Sequence, residues 1–269
     1  MVSFSKTDKT DLPALKALWL TCFEEDERAA ELFFERTMGF THAYKATENG
    51  ELIAAVYLVG CTLNGRQAHY LCGAATRPDC RNRGVMSGLI RFALDDAKNR
   101  GDVFSVLFPA DEGLYRFYSR LGYLAKCTAR TRRLTRADLG ETQNPGCGTP
   151  DTDVLQKLSL KNNFLFWNKD FVKFASDYYG VYGVKTARSE NAFAIYSLKG
   201  RTATVYYSIY NEIKELKNLL SKIEADTYII TGTGANPLLA GAKREICGML
   251  RPLTNENPPD DVFIGITLN

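Results

Sequence analysis

Apolar residues recur at three- and four-residue steps from Met86 through Leu89, Ile90, Ala93, Leu94 and Ala97, while Arg91, Asp95, Lys98 and Asn99 take the other side. That spacing predicts an amphipathic helix, and Gly101 stops it as a C′ glycine does. Just upstream the pattern changes: residues 69–76 form a short apolar strand, Pro78 ends it, and Arg81-Asn82-Arg83-Gly84-Val85-Met86 leads straight into the helix. Before this stretch, Leu15, Leu18, Trp19 and Cys22 share one face of a helix over residues 12–23, and a second helix spans 27–38. Strands are predicted near Ser3 and over 43–47, 52–62, 103–108 and 128–134, with Asn64-Gly65 a hairpin signal between the two central strands.

Residues 140–153 concentrate Gly, Pro and small polar residues and read as a linker, which divides the chain into 1–142 and 152–269. The second part shows helical material through Tyr178, strands at 192–197 and 203–209, a helix at 212–223, a strand at 227–231 and terminal strands at 246–250 and 262–268. Its order echoes the first part, but the step from Tyr210 through Asn211-Glu212-Ile213 has no glycine and no room for a phosphate-wrapping loop. Gly232-x-Gly234 lacks a third glycine and is followed by Pro237, so it reads as an ordinary loop.

With 34 basic and 31 acidic residues among 269, the net charge of +3 gives no electrostatic footprint for nucleic acid or a membrane surface. The seven cysteines include no Cys-x-x-Cys pair and no nearby His to complete a metal set, so reduced thiols in a cytoplasmic protein without metal are expected. No apolar run reaches the length of a membrane span, and residues 1–11 lack a signal-peptide core. A homo-oligomer is compatible with all of this.

The chemistry sits where the first strand meets its helix. Gly84 lets backbone approach a ligand, and the helix that follows offers unpaired N–H groups and the positive end of its dipole to an anion, as a pyrophosphate cradle requires. Gly73, Ala74 and Ala75 are small, which suits close approach of a ligand to the strand or tight packing on a helix. Farther on, Leu114, Tyr118 and Leu121 share a helical face just before Gly122-Tyr123. Taken alone, that face makes Tyr118 a core residue.

Arg81, Gly84 and Met86 resemble motif A of the GCN5-related N-acetyltransferases (GNAT), with Met in place of the usual second small residue. The segment from Leu114 to Tyr123 resembles motif B of the same superfamily. The Met86 departure and the tandem order are similar to the enhanced intracellular survival acetyltransferases. The resemblance implies an α+β GNAT fold, a mostly antiparallel mixed sheet with flanking helices, followed by a second, degenerate GNAT-like α+β domain that shapes the acceptor site. It implies acetyl coenzyme A as co-substrate, contacted by Ala74, Ala75 and Thr76 of the strand and by Arg81, Asn82, Arg83, Gly84, Val85, Met86 and Ser87 of the loop and helix. Tyr118 would protonate the departing thiolate, and the acceptor would be the primary amine of a small molecule or peptide, acylated directly in a ternary complex. The C-terminal carboxylate at Asn269 would help deprotonate that amine. A non-catalytic coenzyme-A-responsive module and a transferase of longer acyl or aminoacyl groups are the alternatives.

Other residues allow two readings. His69 is placed to serve as a base, or is simply structural or exposed. The run Glu24-Glu25-Asp26-Glu27 attracts a cationic amine or is a solvated helix start. Arg130, Arg132, Arg133 and Arg136 read as a solvated strand edge, with coenzyme phosphates as a minor option. Cys72 and Cys80 have no paired base in the sequence, which weakens a thiol nucleophile.

Overall fold

The computed structural model describes residues 1–143 and 164–268. Its first half runs β1 (Val2–Lys6), α1 (Leu12–Cys22), α2 (Glu27–Thr37), β2 (Thr41–Glu48), β3 (Glu51–Leu63), β4 (Arg66–Thr76), α3 (Val85–Arg100), β5 (Phe104–Leu107), α4 (Glu112–Ser119) and β6 (Leu124–Thr135). The second half adds β7 (Leu165–Phe166), α5 (Lys169–Val181), β8 (Lys185–Ser189), β9 (Ala192–Lys199), β10 (Thr202–Tyr210), α6 (Ile213–Ser221), β11 (Thr227–Gly232) and β12 (Arg244–Pro252). The fold is α+β, with a second unit whose element order is similar to that of the first.

Local chemistry explains most boundaries. Asn64 and Gly65 both take positive φ, 51° and 75°, the twist that a two-residue hairpin between β3 and β4 demands. Asp26 caps α2 by accepting from the Arg28 and Ala29 N–H groups, and Asp111 caps α4 through the Leu114 N–H. Gly101 ends α3 at φ 102° with its N–H returned to the Ala97 and Lys98 carbonyls.

The halves share one sheet, ordered β1-β2-β3-β4-β5-β12-β6-β11-β10-β9-β8, with β7 pairing β3. β4 and β5 are parallel, as are β10 and β11. β12 lies between β5 and β6 and pairs antiparallel with both, so a strand from the second half fills a place inside the first. The division expected at residues 142–152 therefore falls on a chain whose two sides hydrogen-bond to each other, and most of the expected linker lies outside the described residues.

Two expectations need correction. No regular strand forms over 262–268. Val262 makes a single bridge to Cys127 and Phe263 another to Phe164, and Gly265 turns the chain at φ 75°. Nor is β6 an edge. With β12 and β11 on its flanks, Arg130 donates to the Ala242 carbonyl and Arg132 to that of Ala240, and Arg136, one residue past the strand, donates to the carbonyls of Ser221, Ile223 and Ala225, while Arg132, Arg133 and Arg136 stay exposed as expected. A guanidinium carries several donors and no acceptor, which suits it to this closing role.

Three cores flank the sheet. One joins α1, α2 and α5, where Trp19 stacks on Phe33 and meets Phe34 and Tyr57 edge-on. The second lies under α3 and α4, and the third under α6. Among the described residues no helix is long and apolar enough to cross a membrane.

Candidate active site

β4 pairs with β5 only through Ala68, His69 and Tyr70, opposite Phe104, Ser105 and Val106. Beyond Tyr70 the strands part, although β4 continues to pair with β3 as far as Thr76. The register with β3 slips here: Ala75 faces Ala55 and Cys72 faces Tyr57, leaving Gly73 and Ala74 opposite Val56 alone. This is a β-bulge with Gly73 at φ 58°. A Cβ on Gly73 would run into Trp19 and Tyr57, so both the conformation and the packing require glycine. Bulge and separation expose β4 backbone along one side of a cleft.

The loop after β4 continues that cleft. Asn82 and Gly84 take φ values of 60° and 75°, which turns the loop back onto the start of α3. A Cβ at Gly84 would meet open space, so glycine is required there by φ. Arg81 is tied by its Nε to the Thr76 carbonyl at 3.1 Å and Arg83 to Glu48 at 2.7 Å, while Asn82 and Gly84 are exposed. Val85 is buried and Met86 partly buried against the second core, so the Met side chain points inward while the backbone stays at the cleft. Ser87 is half-buried; Ala74 packs on the second core and Ala75 is buried in the first.

The N-terminus of α3 has neither a side-chain cap nor an acidic residue in its first turn. α2, α4 and α5 are each capped by a side chain, whereas α1, like α3, has no side-chain cap. In α6, which follows β10 as α3 follows β4, the Glu215 carboxylate accepts from the Glu212 N–H just ahead of the first turn. Glu212 and Glu215 put negative charge at that helix start, which disfavours phosphate there.

Tyr118 sits at the far wall on α4. Its ring is 5.7 Å from Tyr123 and 5.0 Å from Phe117, and only 6% of the residue is exposed. Burial, with a small contribution from Cys72, pushes its pKa up to about 12. α4 stops where Gly122 adopts φ 83°, and Arg251 of β12 donates to the Leu121 carbonyl at 2.6 Å. The inserted strand thus anchors the end of the helix that carries Tyr118.

Opposite lies a wall built from both halves. Glu25 accepts from the Trp19 indole N–H and from the Tyr178 hydroxyl of α5. Burial and the charge of Glu25 raise the pKa of Cys72, so this thiol stays protonated and is a poor nucleophile. The Tyr57 hydroxyl is buried with no hydrogen-bond partner among the described residues. The Tyr70 hydroxyl meets the Leu268 backbone, and Tyr179 bonds the Thr267 carbonyl. Asn269, expected to bring a carboxylate here, lies outside the described residues. His69 is buried and bound to Asp102, away from this cleft. Of the acidic run, Asp26 caps α2 and Glu25 alone turns to Trp19 and Tyr178. Sequence reasoning missed Tyr57, Tyr178 and Arg251, since nothing local distinguishes them from ordinary aromatic and basic positions. Among the described residues no group of three or more His, Cys, Asp or Glu side chains is arranged to hold a metal.

A bulged strand parting from its parallel neighbour, an uncapped helix start behind a left-handed glycine and a buried tyrosine at the cleft define an acyltransferase fold. Residues 3–125 match the family profile described as an acetyltransferase (GNAT) domain. None of the curated proteins matches the chain in sequence. Solved structures resemble it in fold. A probable N-acyltransferase from Enterococcus faecalis V583 shares 15% identity at a TM-score of 0.74, over 94% of this chain and 73% of that one. Eis1 from Mycobacterium abscessus shares 15% identity at a TM-score of 0.68, over 94% and 74%. A tandem GNAT protein from the clavulanic acid biosynthesis pathway shares 11% identity at a TM-score of 0.53, over 96% and 100%.

Proposed function

We propose that the protein transfers an acetyl group from acetyl coenzyme A to a primary amine, by direct attack in a ternary complex. The observation that carries this reading is the uncapped start of α3 behind Gly84, continuous with the freed edge of β4, with Tyr118 near Cys72 of that strand. The pyrophosphate would rest on the N–H groups of Val85, Met86 and Ser87, with Arg81, Asn82 and Arg83 at its rim and the pantetheine amides paired to Ala74 and Thr76.

The amine lone pair attacks the thioester carbon, the carbon–sulfur bond breaks, and the thiolate takes the Tyr118 proton. A phenol whose pKa lies near 12 is fully protonated at neutral pH and so is ready to donate. The ammonium proton is lost on the other wall, where Glu25 supplies a carboxylate. The contacts of Thr267 and Leu268 with Tyr179 and Tyr70 bring the last described residues to the same wall. Residues of α5 complete the wall, which gives the second unit its part in shaping the acceptor site.

Calorimetric titration of coenzyme A, followed by a screen of small amines and peptides for thiol release, tests the proposal. Absence of binding by coenzyme A would end it.

A further inference from the structure

The chain has two histidines, and both line a single cavity of about 250 Å³ that lies apart from the cleft. It opens at the N-terminal end of β4, beneath the last turn of α3, with Gly60, Thr62, Ala68, Arg100 and Phe166 on its walls. His42 pairs with Leu58 and His69 with Gly60, two steps apart on β3, so both imidazoles stand on one face of the sheet. Gly60 has no side chain between them, and that omission leaves the space.

His69 is 1% exposed, and its Nδ1 lies 2.6 Å from Asp102 Oδ2. Asp102 also accepts from Arg100 at 2.8 Å and from Gln67 at 2.7 Å. Burial opposes the charge on Asp102, but the bond to His69 and the nearby Arg100 outweigh it and hold the carboxyl below the usual range. Burial lowers the pKa of His69 more than Asp102 raises it, which favours the neutral imidazole, and the 2.6 Å contact with Asp102 suits a proton on Nδ1 donated to the carboxylate. Its Nε2 is then a bare acceptor, buried and without a partner among the described residues. An acceptor left this way is destabilising, and a ligand that supplies a donor recovers the loss.

The rest of the cavity specifies the donor. Arg100 spends donors on Tyr44, Asp96 and Asp102, and a guanidinium has five. At His69 the charges of Asp102 and Arg100 balance, and around His42 those of Arg100 and Lys6 balance those of Asp96 and Asp102, with Tyr44 and Cys61 the other titratable groups nearby. An anion alone would upset that balance, whereas an anion arriving with one proton would not. We propose that this cavity binds a small carboxylic acid, whose proton passes to His69 Nε2 and whose carboxylate lies between that nitrogen and Arg100. One O–H bond breaks, one N–H bond forms, and Asp102 stabilises the resulting imidazolium from behind. Phe166 and Ala68 offer apolar wall to the acid's carbon skeleton.

Two histidines make the test direct. Imidazole ¹H–¹⁵N spectra of the whole protein, assigned with His42→Asn, are followed while acetate or benzoate replaces chloride at fixed ionic strength. The expected result is saturable conversion of His69 Nε2 from acceptor to protonated nitrogen, with Kd rising about tenfold per pH unit above the ligand-free pKa. Calorimetry in two buffers should show uptake of one proton per acid bound. His69→Gln should abolish the response; if that variant does not fold, the wild-type spectra decide. No change at His69, a change at His42 alone, an equal response to chloride, or a response to inorganic phosphate but not to carboxylates would overturn the proposal. So would a bound water alone at Nε2.

Discussion

The Glu25 carboxylate, at the turn between α1 and α2, is hydrogen-bonded to the Tyr178 hydroxyl of α5, 153 positions away. The same carboxylate holds the Trp19 indole, whose ring covers Gly73 at the bulge of β4. One acidic residue therefore couples the second half of the chain to the strand segment where the cleft opens. Its charge also helps to keep Cys72 a thiol after burial has raised the pKa.

If Glu25 receives the acceptor's amine, Glu25→Gln removes the charge and keeps the shape. KM for the amine should rise about ten- to a hundredfold, the ~1.5–3 kcal/mol of a hydrogen bond to a charged group. Coenzyme affinity should not change. Tyr178→Phe should raise the same KM by a smaller factor, since the carboxylate stays and only its anchor is lost. An unchanged KM in both variants removes Glu25 from the acceptor site.

Gly84 separates conformation from charge. Gly84→Ala places a Cβ in open space but at φ 75°, so it should cost about 1–2 kcal/mol of stability and weaken coenzyme binding in proportion to the distortion of the loop. Gly84→Asp adds a negative charge at the same backbone and should abolish binding in a protein that still folds. Calorimetry beside thermal melts of both variants checks this, and undiminished affinity in Gly84→Asp would refute the phosphate role of the loop.

Features set by near neighbours in sequence were legible. The apolar period of α3, the Asn64-Gly65 hairpin and the glycine-bounded loop are each determined within a few residues, and the structure places them as expected. What the sequence hid was partner choice at long range. Nothing in Arg244–Pro252 says that this strand enters between β5 and β6, because an apolar strand fits any neighbour that buries it. Having no sign of that insertion, the pattern made β6 an edge; its arginines are largely exposed as expected, but Arg130 and Arg132, with Arg136 just beyond, also donate to carbonyls of the second half. Val262 and Phe263 likewise look like a strand, yet their hydrogen-bonding neighbours allow only bridges, and Gly265 turns the chain away. The absence of glycine before α6 was visible, but the bond from the Glu212 N–H to the Glu215 carboxylate at that helix start became evident only with the helix boundary.

The His69–Asp102 pair should make stability depend on pH in a fixed direction. Both folded-state pKa values are lowered, so at acid pH the unfolded chain binds more protons than the folded one. The contribution is fully present above the unfolded histidine pKa of about 6.5 and is lost as pH falls, first through His69 and then, below about 3.9, through Asp102. Urea melts between pH 8 and pH 4.5 should show stability falling over the first of these windows. His69→Gln should flatten that part of the curve. A wild-type profile that does not fall below pH 6.5 would contradict the neutral buried imidazole.

Tyr118 provides the test of chemistry as distinct from binding. Tyr118→Phe keeps the ring packed against Phe117 and Tyr123 and removes only the hydroxyl, so the fold and coenzyme affinity should be retained. Turnover should fall by about the 10²–10⁴-fold expected of a lost general acid. Because burial pushes the phenol's pKa up to about 12, loss of its proton should not limit the wild-type rate until the pH approaches that value. Any descending limb near neutrality must come from another group. Loss of turnover in the Phe variant together with an alkaline limb well above pH 10 in the wild type is the expected pair of results. Wild-type turnover in Tyr118→Phe on a confirmed amine would return the residue to the core that its burial also suits.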